Sequence, residues 1–452
     1  MGVFHRYDVR GIYPSELNEN LVEKIGGAFA TFLQPGATVV VGHDARLSSP
    51  ALKNSLIRGL TECGVNVVDI GIAATPVVYF CCYKLGLGHG VSITGSHLTK
   101  EYNGIKFCDE AGIPISNEKG LKKIGELANS ENFRVGNARG KLTEKNVEDA
   151  YVEFMKSLTK NNFSGKKIVV DGANGSAGKL YARILKESGA DVVEIYCEPD
   201  GNFPNHTPDP MKKEFIVDLE KKVRESAADV GFAFDGDGDR LAVVDNNGVM
   251  CNPNHVFAML AEDVLKDNIE KNKNDKKIVH DVLCSKLIDD VVAQNDGVSI
   301  TWNVGHTLTA TKCFEENALM AGEVSGHYFF REANYTDDVM VACLKILGVL
   351  KNSGGQLSEL TKKYPRFYEF QDRIPTRADA KFKFIEELKQ YLEKKYEIIT
   401  MEGVRVNFEN GWMLFRASNT EPVISMGYES SDADEFEKIK KIADEIIKKI
   451  PR

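Results

Sequence analysis

Apolar and polar positions follow one another along this chain in a strand–helix cadence. Residues 37–42 form a β-branched run closed by a glycine, which predicts a buried strand; the amphipathic stretch 50–63 predicts a helix, and 67–70 a second strand. Related strand–loop–helix phrases recur at Lys167–Asp171 and Lys277–Asp281, each an apolar run ending on an aspartate just before a loop. The pattern predicts an α/β protein with three diverged copies of one unit, each with a mixed, mostly parallel sheet. It directs the search for a site to loops outside the carboxyl ends of those strands. The tail differs. Strands near 403–408, 412–417 and 423–429 precede a helix whose Phe436, Ile439, Ala443, Ile446 and Ile450 share one face, predicting a smaller C-terminal α+β domain. Polar stretches at 129–146 and 246–254, and Pro365 where a helix has to stop, divide the chain into domains 1–147, 148–251, 252–364 and 365–452.

Composition narrows the class. With 42% hydrophobic and 27% charged residues, the chain is not a disordered, collagen-like or miniature disulfide scaffold. No apolar run approaches the roughly 20 residues that span a bilayer, and Asp8 interrupts the start before a secretory apolar region forms. A net charge of −9 gives no nucleic-acid footprint, so an anionic substrate needs a local positive site. The stretch 266–277 mixes Asp267, Glu270 and Asp275 with its lysines and reads as a solvated loop. Nine cysteines contain no CxxC pair and most sit in apolar or strand-like surroundings, which reads as buried thiols in a reducing cytoplasm.

Four loops carry chemistry. Phe234-Asp235-Gly236-Asp237-Gly238-Asp239-Arg240 alternates carboxylates with glycines after an apolar strand, so three hard oxygen donors can converge on one cation, and few ligands suit Mg²⁺. An EF-hand needs glycine at loop position six and glutamate at twelve, where this chain has Arg240 and Asn246. Thr94-Gly95-Ser96-His97 ends a strand with a glycine-flanked serine whose hydroxyl is expected to be exposed. It lacks G-x-S-x-G spacing, and read alone it is also an ordinary serine-capped turn. In Gly322-Glu323-Val324-Ser325-Gly326-His327, Glu323 and Ser325 can accept from sugar hydroxyls while His327 can donate; His306 adds a second loop histidine. Arg416-Ala417-Ser418-Asn419-Thr420 offers a guanidinium, two hydroxyls and an amide in a turn, a cradle for a phosphate dianion or an Asx/ST turn. Together they describe phosphoryl transfer on a phosphosugar.

These motifs follow Tyr7-Asp8-Val9-Arg10-Gly11 in order, with supporting phrases at Gly42-His43-Asp44-Ala45-Arg46 and Asp200-Gly201-Asn202-Phe203-Pro204-Asn205-His206. On them the whole chain resembles the α-D-phosphohexomutase superfamily, in its phosphomannomutase/phosphoglucomutase group. The resemblance implies a four-domain, heart-shaped unit, a monomer or weak homo-oligomer in the cytoplasm, acting on phosphosugars with no nucleic-acid or membrane partner. It implies a phosphoserine at Ser96 that completes an Mg²⁺ site with Asp235, Asp237 and Asp239, and a hexose 1,6-bisphosphate as intermediate and activator. It further implies Lys106 and His306 as acid/base or charge-stabilising groups, with Arg10, His97 and Arg240 nearby. Glu323 and Ser325 would contact the sugar's 3- and 4-hydroxyls beside His327 and Tyr7. Arg416, Ser418, Asn419 and Thr420 would hold the non-reacting phosphate.

Two departures stand out against the group. Leu98-Thr99 replaces the usual Asn-Pro after Ser96-His97, which removes an amide and is expected to free the local backbone. Leu283 stands where many relatives have a substrate-contacting lysine. Because mannose and glucose differ at C2, contacts at O3 and O4 cannot separate them, and dual activity is expected. Phosphoglucosamine mutases usually carry Ala before the serine and Gln before Ser-Gly-His, where this chain has Gly95 and Val324. A haloacid-dehalogenase-type, Mg-dependent phosphatase would use Asp235 as nucleophile and leave the other three loops unexplained. Gly172-Ala173-Asn174-Gly175-Ser176-Ala177-Gly178 lacks dinucleotide-binding spacing. A non-catalytic member of the fold would have no use for the intact serine and acids.

Overall fold

Valines 39–41 are fully buried, as a strand covered on both faces requires. They lie in Thr38–His43, at the middle of a six-stranded sheet, in the computed structural model, which describes residues 2–134, 136, 138–270, 276–418 and 422–451. That strand pairs in parallel with Asn66–Ile72 and His89–Ile93. Leu142–Glu144 extends one edge in parallel, and Tyr102–Cys108 and Val9–Ile12 continue the other edge antiparallel. The predicted 50–63 helix forms as Ser49–Glu62, with Pro50 in its first turn, where a missing N–H costs nothing.

The second and third units repeat a smaller plan. Lys167–Asp171 pairs in parallel with Asp191–Ile195 and Val230–Phe234, and Leu241–Asp245 adds an antiparallel edge. Lys277–Asp281 pairs in parallel with Val298–Trp302 and Met320–Gly322, and Tyr328–Phe330 adds the edge. The tail is a five-stranded antiparallel sheet, Tyr368–Pro375, Val423–Ser430, Gly411–Ala417, Val404–Asn407 and Ile398–Ile399. The helix Ala433–Ile447 covers it with Ile439, Ala443 and Ile446 buried; Ile450, also buried, lies past the helix end. The fold is thus three α/β units with mixed, mostly parallel sheets and a C-terminal antiparallel unit, as the cadence predicts.

The chemistry lies at the carboxyl ends of parallel strands, as the cadence directs, after Ile93, Phe234 and Gly322. The Ser96 loop, the Asp235–Asp239 acids and the Glu323–His327 turn each join a parallel strand to its antiparallel neighbour, the same place in three units. Arg416 opens the corresponding turn between antiparallel strands of the fourth. Of the stretch 266–277, expected to be a solvated loop, residues 266–270 are instead helical as the end of Pro253–Glu270, whose Val256, Leu260, Val264 and Leu265 are buried, and 271–275 lie outside the described residues. All nine cysteines are buried and unbridged. Among the described residues no helix is long and apolar enough to cross a membrane.

Candidate active site

The serine and the acid loop meet in one buried centre. Ser96 Oγ donates to Asp235 Oδ2 at 2.8 Å and lies 3.2 Å from His97 Nδ1. The hydroxyl is not exposed as expected: Ser96 is 2% accessible, because the acid loop covers it. Glycine permits this approach, since a Cβ on Gly236 would sit 2.6 Å from the Ser96 carbonyl oxygen.

Asp235, Asp237 and Asp239 are completely buried, with carboxylate oxygens within 4.8 Å of one another. Lys106, on the strand beside the serine loop, donates to Asp237 Oδ2 at 2.7 Å and to Asp239 Oδ2. Burial opposes charge on Asp237 and Asp239, but Lys106 outweighs it and holds both below the usual carboxylate range. Burial and then the other two acids push Asp235 up instead. The same acids overcome the burial of Lys106 and keep it cationic. Asp237 Oδ1 and Asp239 Oδ1 are buried and meet no hydrogen-bond donor among the described residues. Buried acceptors in such a cluster fit a hard cation that takes oxygen ligands.

The remaining predicted residues gather around this centre or frame its approach. Arg10 Nε bonds Asp8 Oδ2 at 2.6 Å, and its charge is felt at Asp237 and Asp239. Burial, then Arg240 and Arg10, drive His97 far below the ordinary histidine range, so it is neutral. Arg240 Nε donates to His327 Nε2 at 3.1 Å. Glu323 is buried, accepting from Thr309 Oγ1 at 2.6 Å and from Ser325 Oγ at 2.8 Å. Beside it Asp281 is pushed up to about 7 by burial and by Glu323. Tyr7 donates to the Val304 carbonyl at 2.7 Å, next to His306, and burial pushes its phenol up to about 12. Arg416 stands apart, half-buried with Nη1 3.8 Å from Glu402 Oε2, while Lys381 Nζ donates to the Ser418 carbonyl at 2.6 Å. Asn419 and Thr420 lie outside the described residues.

Two important side chains carried no role in the sequence reading. The first is Arg46, fully buried on the Gly42-His43-Asp44-Ala45-Arg46 phrase. Its guanidinium donates to the carbonyls of Ser96 (2.9 Å), Leu98 (2.6 Å), Thr99 (2.5 Å) and Tyr102 (2.9 Å), and to Asp44 Oδ2 at 2.9 Å. The backbone expected to be freed by Leu98-Thr99 is therefore clamped. Gly95 makes room for the clamp, as a Cβ there would lie 2.5 Å from the guanidinium carbon. The second is Asp337, fully buried 3.1 Å from His306 Nδ1 and 3.3 Å from His327 Nδ1. Asp337 falls in none of the motifs singled out in the sequence. Leu283 sits with Val282, Trp412 and Leu414 in an apolar contact between the third and fourth units.

Three related α/β units and an antiparallel fourth, with a serine facing an aspartate loop where they meet, define a phosphohexomutase architecture. Models of the phosphoglucomutase/phosphomannomutase alpha/beta/alpha domains I, II and III match residues 1–135, 149–248 and 252–368, and that of the C-terminal domain matches 374–447. The chain belongs to the phosphoglucomutase/phosphomannomutase family. It is 35% identical over 446 residues to a phosphomannomutase/phosphoglucomutase of Pseudomonas putida, covering 97% of this chain and 94% of that one. It is 34% identical to a phosphoglucomutase of Neisseria gonorrhoeae, covering 97% and 95%. The crystal structure of a phosphoglucomutase/phosphomannomutase family protein from Burkholderia thailandensis superposes with a TM-score of 0.89 at 33% identity, covering 99% and 97%.

Proposed function

We propose that this chain interconverts hexose 1-phosphates and hexose 6-phosphates, with mannose and glucose phosphates as substrates, through a phosphoserine at Ser96. One observation carries the reading: Ser96 Oγ and the Asp235–Asp237–Asp239 cluster share one buried centre, joined by a 2.8 Å hydrogen bond. In each half-reaction a sugar hydroxyl attacks the serine-borne phosphorus. The new O–P bond forms as the Oγ–P bond breaks, and the hydroxyl proton goes to His306. The hexose 1,6-bisphosphate so formed turns around and returns its other phosphoryl group to Ser96, with proton and bonds reversed.

Asp235, Asp237 and Asp239 would hold Mg²⁺, which supplies positive charge to phosphoryl oxygens when bound. Lys106, Arg10 and Arg240 stabilise the charge that develops on the transferring group; Lys106 stays cationic and so does not serve as a base. Glu323 and Ser325 accept from sugar hydroxyls, with Tyr7 and His306 on the same rim. Arg416, Ser418 and the adjoining Asn419 and Thr420 hold the phosphate that is not reacting. Burial of Ser96 shields the phosphoserine from water. Residues 1–147, 148–251, 252–364 and 365–452 are the four domains, each bearing one of these loops. The reaction is that of a cytoplasmic enzyme whose site needs a single chain.

Turnover of mannose 1-phosphate, glucose 1-phosphate and glucosamine 1-phosphate tests it. Comparable rates on the first two and a poor rate on the third are expected. Preference for the amino sugar overturns the sugar assignment, and release of inorganic phosphate without isomerisation overturns the reaction.

A further inference from the structure

Three threonines inside helices of this protein turn their hydroxyls back on their own backbone. Thr31, Thr61 and Thr361 donate to the carbonyls four residues earlier, Gly27 at 2.7 Å, Ile57 at 2.8 Å and Leu357 at 3.1 Å. Thr309 does not. It lies near the start of the helix His306–Glu315, completely buried, and its Oγ1 donates to Glu323 Oε1 at 2.6 Å.

The backbone of Glu323 is set by its own turn. Its N–H donates to the His327 carbonyl and its carbonyl accepts from the Gly326 N–H, both at 3.1 Å, with Gly326 at φ 86°, a value that favours glycine. Two hydroxyls hold the side chain. Ser325 Oγ, from the same turn, reaches Oε2 at 2.8 Å, while Thr309 reaches Oε1 from a separate element. A carboxylate has about four lone-pair sites, so each oxygen keeps one free while the plane of the group is fixed. Each hydroxyl has a single proton, already given to Glu323, so this corner offers a ligand acceptors only.

We infer that Thr309 is a positioning residue: it aims the Glu323 carboxylate so that the free lone pairs accept from hydroxyls of the bound sugar. The inference rests on the reading that Glu323 accepts from those hydroxyls, and it names the group outside the turn that makes the contact directional. Without the Thr309 proton, Oε1 loses its fixed direction and the buried carboxylate loses one of its two hydroxyl donors. A contact made to substrate and transition state alike is felt in KM and not in kcat.

The test uses the full chain, with steady-state kinetics on glucose 1-phosphate. Calorimetric binding of the same sugar phosphate is measured beside it in a Ser96→Ala background, which cannot turn it over. Thr309→Val keeps the shape and removes the hydroxyl, Thr309→Ser keeps the hydroxyl, and Glu323→Gln is the reference. Thr309→Val is expected to raise KM and Kd about tenfold, the loss of one hydrogen bond to a charged group, with kcat within about threefold of wild type. Thr309→Ser should stay within about threefold of wild type throughout. Added to Glu323→Gln, Thr309→Val should change Kd less than about threefold, because the two act through one contact. Thr309→Cys, similar in size with only a weak donor, takes the place of the valine variant if that one does not fold. Near wild-type KM and Kd in Thr309→Val, with both raised in Glu323→Gln, overturn the inference. Equal losses in the valine and serine variants also overturn it, because packing and not the hydroxyl would then matter. An unchanged Kd in Glu323→Gln refutes the sugar contact and the inference with it. The expected Kd pattern in a protein that never isomerises refutes the proposed reaction and leaves the positioning role standing.

Discussion

Ser96 has φ 49°, in the left-handed region that costs a non-glycine residue about 1–2 kcal/mol. Its backbone is held there by Arg46 from below and by its own N–H donating to Thr94 Oγ1 at 2.7 Å. Ser96→Ala and Ser96→Gly both remove the hydroxyl, but only glycine relieves the backbone. Ser96→Gly should therefore unfold in urea with a stability about 0.5–1 kcal/mol above Ser96→Ala, the relief net of glycine's greater unfolded-state entropy. The reverse order would show that the loop is not strained. Asp338, fully buried beneath Tyr151, gives a pH test. Burial pushes its carboxyl up to about 7. A folded-state value above the unfolded one means the contribution is full below about pH 4 and is lost as pH rises through about 7. Between those limits wild-type stability should fall relative to Asp338→Asn, by at most about 1.4 kcal/mol per pH unit. Parallel stability profiles would contradict it. The serine and acids were legible in the sequence from residue type and spacing. Arg46 and Asp337 were not, because their partners are backbone carbonyls some 50 residues on and two histidines from separate segments.

At the level of elements, the strand–helix cadence was enough to predict three α/β units and an antiparallel tail. It directed the search to the carboxyl ends of the strands, where the Ser96, Asp235–Asp239 and Glu323–His327 loops lie, each after a strand parallel to its neighbour. The functional loops are the turns from a parallel strand into its antiparallel neighbour. Two of those turns touch through Gly236, and that contact sets the spacing between hydroxyl and acids. Gly236→Ala would place a methyl 2.6 Å from the Ser96 carbonyl. The fold should survive with unchanged far-UV circular dichroism, while kcat drops about 100-fold, as expected for a misplacement near 1 Å at the reacting atoms. Activity within threefold of wild type would mean the two loops tolerate a wider gap.

Across the whole molecule, contacts between units hold the site together. Arg6 of the first unit bonds Glu402 of the fourth at 2.9 Å, and buried Arg405 of the fourth donates to the Val282 carbonyl of the third at 2.5 Å. None of these pairings was legible from local sequence, because each joins residues over 100 positions apart. The acid cluster is the molecule's concentrated charge strain, relieved by Lys106 alone among the described residues that bond it as cations. Mg²⁺ at 100 times its Kd should therefore raise stability by about 2.7 kcal/mol, read as a higher Tm. The shift should vanish in Asp237→Asn/Asp239→Asn; an equal shift in that variant would place the cation elsewhere. The central claim, that Ser96 carries the phosphoryl group, is tested most directly by peptide mass analysis of the protein after incubation with hexose 1,6-bisphosphate, with isomerase assay of Ser96→Ala alongside. The account predicts phosphate on the Ser96 peptide and near-complete loss of turnover in the variant. Phosphate on Asp235, or a Ser96→Ala protein that still isomerises, would contradict it.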